Sequence, residues 1–239
     1  MSPATGINAV RTTGIFCRPG CPARPHPENV EHYDTVGEAL VAGYRPCRRC
    51  HALHEGGQGP TPSRWNAAPP VSIAVMDTPL GAMIAAATAG ELVMLEFADR
   101  RMLATQFHRL GRMLGCRFEC GETPVLARTR KQLDEFFAGR RNAFDLPLAM
   151  PGTEFQQMVW NELLRIPAGT TRSYAEQARA IGRPEAVRAV ARANGDNRIA
   201  IVVPCHRVIG SDGSLTGYGG GLWRKQRLLE REGVAARDN

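Results

Sequence analysis

Two groups of residues in this chain have the types and spacing to do chemistry. The first is Pro204-Cys205-His206-Arg207-Val208. It follows the apolar run Ile199-Ala200-Ile201-Val202-Val203, so Cys205 is expected inside the fold or on the floor of a pocket. Apolar surroundings normally hold a thiol protonated and inert. An adjacent His206 changes that, because a base that takes the proton frees a thiolate nucleophile. The second group is Cys17-x3-Cys21 with Cys47-x2-Cys50. Two close cysteine pairs in a segment of about 50 residues are what a tetrahedral S4 zinc site needs. So small a segment buries little apolar surface, and bound metal would supply much of its folding energy. His26, His32 and His51 lie nearby and are read as surface histidines.

These groups sit in different parts of the chain. Residues 54–70 are rich in Gly, Pro, Ser and Ala and read as a linker. Residues 1–53 form the Cys-rich module, and the rest reads in two halves, 71–148 and 149–236. In the first half, Val71–Met76, Gly81–Thr88 and Leu92–Phe97 look like strands joined by Gly-containing turns. Helices are expected from Arg101 to Leu114 and from Pro124, capped by Thr123, to Ala138. Asn142–Leu146 is expected as one more strand, and Cys116 and Cys120 as structural thiols. The second half is helical: Gly152–Arg165, then Tyr174–Ala180 capped by Ser173, then Pro184–Asn194, and finally Leu222–Arg231 stopped by Gly233. The two short middle helices, separated by Gly182, read as helix-turn-helix. The fold class is α+β.

Composition narrows the function classes. The chain has 239 residues, 43% of them hydrophobic, which is ample material for a core. It holds no run of about 18 apolar residues, so no transmembrane helix is expected. Met1–Val10 lacks the pattern of a secretory leader. Seven cysteines in uneven clusters argue against a disulfide framework and for a reducing, cytoplasmic compartment. A net charge of +7, carried mostly by arginine, suits a polyanionic partner. Arg11, Arg18, Arg24, Arg45, Arg48 and Arg49 surround the cysteine pairs and favour a phosphate-binding face.

The Cys-rich module resembles the N-terminal zinc domain of the Ada adaptive-response DNA repair family. The stretches that carry the likeness are Arg11-Thr-Thr-Gly-Ile-Phe-Cys-Arg-Pro-Gly-Cys-Pro-Ala-Arg24, Glu28-Asn-Val30 and Ala42-Gly-Tyr-Arg-Pro-Cys-Arg-Arg-Cys50. The resemblance implies zinc on Cys17, Cys21, Cys47 and Cys50, with Cys17 also a possible second methyl acceptor, from methylphosphotriesters. It puts Thr13, Arg24 and Arg45 against DNA. Fewer residues precede Arg11 than in that family's domain, so the module is expected to be shortened at its start.

Residues 71–236 resemble the O6-alkylguanine-DNA alkyltransferase family. The motifs are Pro167-Ala-Gly-Thr-Thr-Arg-Ser-Tyr-Ala175, Arg188-Ala-Val190, Asn197 to Val203, Pro204-Cys-His-Arg-Val-Ile-Gly210, Gly217-Tyr-Gly-Gly-Gly-Leu222 and Leu228-Leu-Glu-Arg-Glu-Gly233. The likeness implies an RNase H-like α/β half followed by a winged helix-turn-helix half. It implies single-turnover transfer of an alkyl group from O6-alkylguanine, and from O4-alkylthymine, in double-stranded DNA to Cys205. His206 would be the base, Glu232 its orienting partner and Tyr174 the proton donor to the leaving base. Asn197 would pin the active-site turn, although the family's next residue, proline, is Arg198 here. Arg188 would fill the stack vacated by the flipped base, with Ser173 and Arg207 also at the DNA. Val208, Tyr218 and Gly219 would line the substrate pocket, which the small Gly219 and Ala200 make roomy. The transfer itself needs no cofactor, and a monomer near the bacterial nucleoid is expected. The alternative is a non-catalytic lesion-binding protein or a methylation-responsive regulator. A self-sufficient activator is disfavoured, because residues 54–70 are too few to hold the Ada family's AraC-like domain.

Overall fold

The computed structural model describes residues 6–53 and 68–234. Residues 54–67 of the expected linker lie outside them. The N-terminal module is a four-stranded sheet with one helix. Its strands β1 (Ile7–Val10), β2 (Ile15–Cys17), β3 (Val30–Tyr33) and β4 (Arg45–Pro46) lie in the order β3-β1-β2-β4. Helix α1 (Val36–Val41) starts with a capping box. Thr35 accepts from the Glu38 N–H, and Glu38 reaches back to the Thr35 N–H.

The α/β half holds β5 (Pro70–Met76), β6 (Met83–Ala87), β7 (Leu92–Phe97), α2 (Leu103–Leu114), β8 (Arg117–Cys120) and α3 (Pro124–Phe137). Strand β5 thus begins one residue inside the expected linker. The sheet order is β7-β6-β5-β8. The first three strands form an antiparallel meander, and β8 returns parallel to β5 after the α2 crossover. Strands β6 and β7 are apolar along nearly their whole length because both faces of the sheet are covered. Ala85 and Ala87 face α3 and the C-terminal half, whereas Ile84 and Ala86 face α2 and the N-terminal module.

One expected strand is absent here, and one that was not expected is present. Asn142–Leu146 is not a strand. Gln132 takes up the Asp145 backbone instead, donating to its carbonyl and accepting from its N–H, both at 2.8 Å. Strand β8 went unread because Arg117-Phe118-Glu119-Cys120 is short and largely polar. Cys116 is buried, but Cys120 is exposed on that strand.

The C-terminal half carries α4 (Glu154–Leu163), α5 (Tyr174–Ala180), α6 (Val187–Gly195) and α7 (Leu222–Arg231). Helix α6 starts three residues after Pro184, because Arg183 to Ala186 close a turn of their own. Two short strands, β9 (Arg172–Ser173) and β10 (Val208–Ile209), pair in parallel and tie the start of α5 to the segment after Cys205. No helix among the described residues is long and apolar enough to cross a membrane.

The N-terminal module does not hang free. Its Phe16, Val36 and Leu40 share one apolar core with Ile73, Ile84, Phe107 and Phe118 of the α/β half. At this seam α1 approaches the end of β7 so closely that a Cβ on Gly37 would lie 1.9 Å from the Ala98 carbonyl oxygen. Arg48 and Glu119 add an ion pair at 3.3 Å. Gly37→Ala should force the seam apart and cost about 1–3 kcal/mol, the range for overpacking. Denaturant unfolding would show the loss, and an unchanged midpoint would mean the seam gives way freely.

Candidate active site and metal centre

The active-site turn is built outward from Asn197, just after α6. Its carboxamide oxygen accepts from the Ile199 N–H at 3.0 Å. Its nitrogen donates to the Val203 carbonyl at 2.8 Å and to Cys205 Sγ at 3.2 Å. Between these anchors Ile201 has φ of 70°. That left-handed conformation costs a β-branched residue on the order of 1–3 kcal/mol, so the surroundings must enforce it. Arg198, where the family resemblance leads one to expect proline, is anchored by its side chain. Its guanidinium donates to the Pro151 carbonyl at 2.6 Å and lies over the Trp160 ring. Strand β7 grips the turn as well, through Leu95 N–H to Arg198 O (2.8 Å) and Ala200 N–H to Leu95 O (2.7 Å).

Cys205 opens a single 3-10 turn, Cys205–Arg207. Burial pushes its thiol pKa up, while the Asn197 hydrogen bond and the charges of Arg100 and Lys225 pull it back. His206 is fully buried. Burial pulls its pKa down, against the opposing effect of Glu232, whose Oε1 lies 3.1 Å from His206 Nε2. Glu232 is desolvated too, yet the hydrogen bonds from His206 and Arg207 outweigh that and lower it to about 2. The resting site therefore has a neutral thiol, a neutral imidazole and an ionised carboxylate. An ionised carboxylate only accepts, so the imidazole proton sits on Nε2 and Nδ1 keeps its lone pair. Nδ1 is buried with no hydrogen-bond partner among the described residues.

The expected substrate groups gather around this thiol. Tyr174, first residue of α5, donates its hydroxyl to the Thr216 carbonyl at 3.2 Å, and burial pushes its pKa up. The Tyr218 hydroxyl is buried without a partner, and its pKa lies well above the ordinary value because of burial. Val208 is fully buried, and its carbonyl accepts from Lys225 Nζ at 2.5 Å. Lys225 also donates to the Thr216 carbonyl at 2.6 Å, and burial lowers its pKa to about 8. Sequence reading missed Lys225, although a lysine in so arginine-rich a chain was a usable signal.

Two expectations about this site need correction. Arg207 does not face outward to DNA. It is buried, donating to both Glu232 oxygens at 2.8 and 2.9 Å and to the Ile166 carbonyl at 2.6 Å. Nor does Gly219 make the pocket roomy. A Cβ there would lie 2.6 Å from Cζ of Arg100, so the guanidinium already fills that space. Arg188 stands exposed on α6 with no protein partner among the described residues. The Ser173 hydroxyl is committed to capping α5 and bonds Glu176 at 2.8 Å.

In the N-terminal module the end of β2 with the turn that follows it, and the turn after β4, bring the four cysteines together. The sulfur atoms of Cys17, Cys21, Cys47 and Cys50 all lie within 4.8 Å of one another. Tetrahedral zinc with Zn–S bonds near 2.3 Å needs sulfurs about 3.8 Å apart, so the set fits that ion. No histidine among the described residues joins the cluster. His26 and His32 are exposed as expected, but His51 is buried. On the module's surface Arg45 donates to the Thr13 carbonyl at 3.3 Å, which places these two predicted DNA contacts together, and Arg24 is exposed.

Known proteins match all three parts. Residues 6–52 fit the metal binding domain of Ada. Residues 71–150 fit the ribonuclease-like domain, and 154–234 the DNA binding domain, of 6-O-methylguanine DNA methyltransferase. The chain is 33% identical to the bifunctional transcriptional activator/DNA repair enzyme Ada of Escherichia coli, covering 95% of this chain and 91% of that protein. That alignment runs over 322 positions, against 239 residues here, so it contains gaps on this chain's side. A methylated-DNA--protein-cysteine methyltransferase of Mycobacterium leprae is 47% identical, over 66% of this chain and 89% of that one. Among solved structures, Mycobacterium tuberculosis OGT in complex with DNA superposes with a TM-score of 0.58 at 42% identity, covering 68% of this chain and 92% of that chain. The fold and the metal-binding module agree with these matches, and the chain belongs to the methylated-DNA--protein-cysteine methyltransferase family, with an Ada-type metal-binding domain ahead of the transferase.

Proposed function

We propose that this protein repairs double-stranded DNA by direct reversal, moving the alkyl group of O6-alkylguanine, or of O4-alkylthymine, irreversibly onto Cys205. The observation that carries this is the chain of contacts from Asn197 to Cys205 Sγ and from His206 to Glu232. The Cys205 proton passes to the free lone pair of His206 Nδ1 through a bridging water, and Glu232 stabilises the imidazolium. The thiolate then attacks the alkyl carbon. A sulfur–carbon bond forms, the carbon–O6 bond breaks, and its electron pair leaves with guanine. Tyr174 supplies the proton that neutralises the departing base. The damaged base reaches a thiol this deep only by leaving the helix stack. On this reading Arg188, on the second helix of the helix-turn-helix, enters the gap, and its exposure supports that role. The small alanines of α6 suit close approach from the minor groove, which carries little sequence information. The thioether has no route back to thiol, so each Cys205 acts once.

Cys17, Cys21, Cys47 and Cys50 hold zinc, which when bound keeps cysteine sulfur as thiolate at neutral pH. On this reading Cys17 is a second acceptor, for methyl groups on backbone phosphotriesters, with Thr13, Arg24 and Arg45 at the phosphates. Action on chromosomal DNA places the protein in the cytoplasm, at the nucleoid.

Duplex DNA carrying O6-methylguanine should leave one methyl group on the Cys205 peptide, read by mass spectrometry, and unmodified guanine in the DNA. Cys205→Ser should abolish transfer. Persistence of the lesion with an unmodified Cys205 would defeat the proposal, and so would a Cys205→Ser protein that still removed the methyl group.

A further inference from the structure

Arg100 does not belong to the helical half, yet its side chain ends inside that half's active site. It lies just beyond β7, with its N–H on the Phe97 carbonyl at 3.1 Å. The side chain is 8% exposed and pairs with Glu96, which is 1% exposed. Glu96 is fixed in turn, since its other oxygen accepts from the Phe97 N–H at 3.2 Å. The guanidinium donates to two backbone carbonyls of the other half, Gly195 at 2.6 Å and Asn197 at 3.2 Å. Its flat carbon end lies against Gly219, where even one Cβ would come within 2.6 Å. One side chain thus touches the end of α6, the Asn197 turn and the glycine loop beside Tyr218.

We infer that Arg100 is a positioning residue of the transfer reaction, a cross-half staple that fixes Asn197 and the Gly219 loop relative to Cys205. The inference rests on Cys205 being the alkyl acceptor. A planar fork spans a carboxylate and two carbonyls at once, which a lysine ammonium cannot do with the same geometry. Strain at Ile201 adds to the need for such a staple, because the turn that Asn197, Arg198 and β7 hold includes a left-handed, β-branched residue. Charge gives Arg100 a second effect. The ionisable groups that bear on Cys205 are Arg100 and Lys225, with Tyr174, Tyr218 and the adjacent His206 around them. Those that bear on Arg100 itself are Glu96, Asp196, Tyr218 and Cys205. The guanidinium favours the Cys205 thiolate, and Glu96 tempers that influence.

The test uses the full zinc-loaded chain and two readouts. One is the rate of methyl transfer from O6-methylguanine duplex. The other needs no DNA: the pH dependence of Cys205 alkylation by iodoacetamide, resolved by peptide mass spectrometry. Arg100→Gln should slow transfer by about 10²-fold, the scale of a misplaced reacting group, and move the iodoacetamide profile to higher pH. Arg100→Lys should keep the profile near its wild-type position yet still slow transfer, because charge survives and the fork does not. Glu96→Gln should move the profile the other way, to lower pH. A merely structural arginine would slow all three variants and leave every profile in place, which overturns the inference. So would wild-type transfer rates in Arg100→Gln. If Arg100→Gln does not fold, Arg100→Lys and Glu96→Gln decide alone, by the same criteria. Absence of methyl on wild-type Cys205 would instead strike the alkyl-transfer reading, before any variant is compared.

Discussion

Replacing Glu232 with glutamine should slow methyl transfer to Cys205 by about 10²- to 10⁴-fold, the range for losing general-base assistance. The carboxylate is the ionised acceptor on His206 among the described residues, and the proton that His206 takes makes a buried cation. Glutamine can still accept a hydrogen bond but offers no charge to balance that cation. The same change strands a second group. Arg207 is buried with both Glu232 oxygens as partners, so the variant leaves an unpaired guanidinium in the core. Breaking one side of such a pair costs on the order of 3–5 kcal/mol. Glu232 has its folded pKa lowered from 4.5 to about 2. Its ionised form therefore stabilises the fold above the ordinary value, and that stability is lost as pH falls toward the folded one. The stability gap between wild type and Glu232→Gln should be full at neutral pH and shrink between 4.5 and about 2. Urea unfolding of both proteins across that range, with single-turnover kinetics at neutral pH, checks both parts. Equal transfer rates would remove Glu232 from the mechanism.

Stripping zinc should unfold the N-terminal module and weaken the rest of the protein with it. Structural zinc contributes about 10–16 kcal/mol of apparent binding energy in small zinc modules, more than a sheet of four short strands supplies alone. Loss of the S4 cluster frees β2, the turn that follows it and the turn after β4, which carry the cysteines. Phe16, Val36 and Leu40 then leave the core they share with Ile84 and Phe107. Chelation should therefore expose apolar surface on the α/β half as well, seen as dye binding and a lower melting temperature for the whole chain. Cys50→Ser should behave likewise without chelator. A melting transition of the transferase part that ignores chelation would mean the seam contributes little to stability.

The sequence made the chemistry legible where the residues must be particular. Cys205, His206 and the cysteine pairs announce themselves by type and spacing, and α3, α5 and α7 by caps, apolar faces and closing glycines. Contacts across the seam were hidden, because no local pattern records what a distant segment will press against. The glycines at 219 and 220 were visible, but their reason was not: Arg100 and Phe97 approach them from another part of the fold. Arg207 was misread for a related cause. In a basic chain an arginine beside a reactive thiol looks like a phosphate contact until its carboxylate partner, 25 residues away, is placed. Glu96, a charge within the apolar strand Leu92–Phe97, was a readable sign of a buried ion pair.

The seam also bears on how one molecule addresses a duplex. Two sites on a loose tether search independently, and their joint affinity depends on tether length. Here Gly37 rests on the Ala98 carbonyl, and the linker is bypassed by a shared core. Cys17 and Cys205 ride on one body, so the separation between them is set by packing rather than by residues 54–67. A duplex seated at one thiol presents to the other only the stretch that this separation allows. On the proposed reading of Cys17 as a second acceptor, the docked module sets which stretch of a duplex each thiol meets, acting as a ruler rather than a second hand.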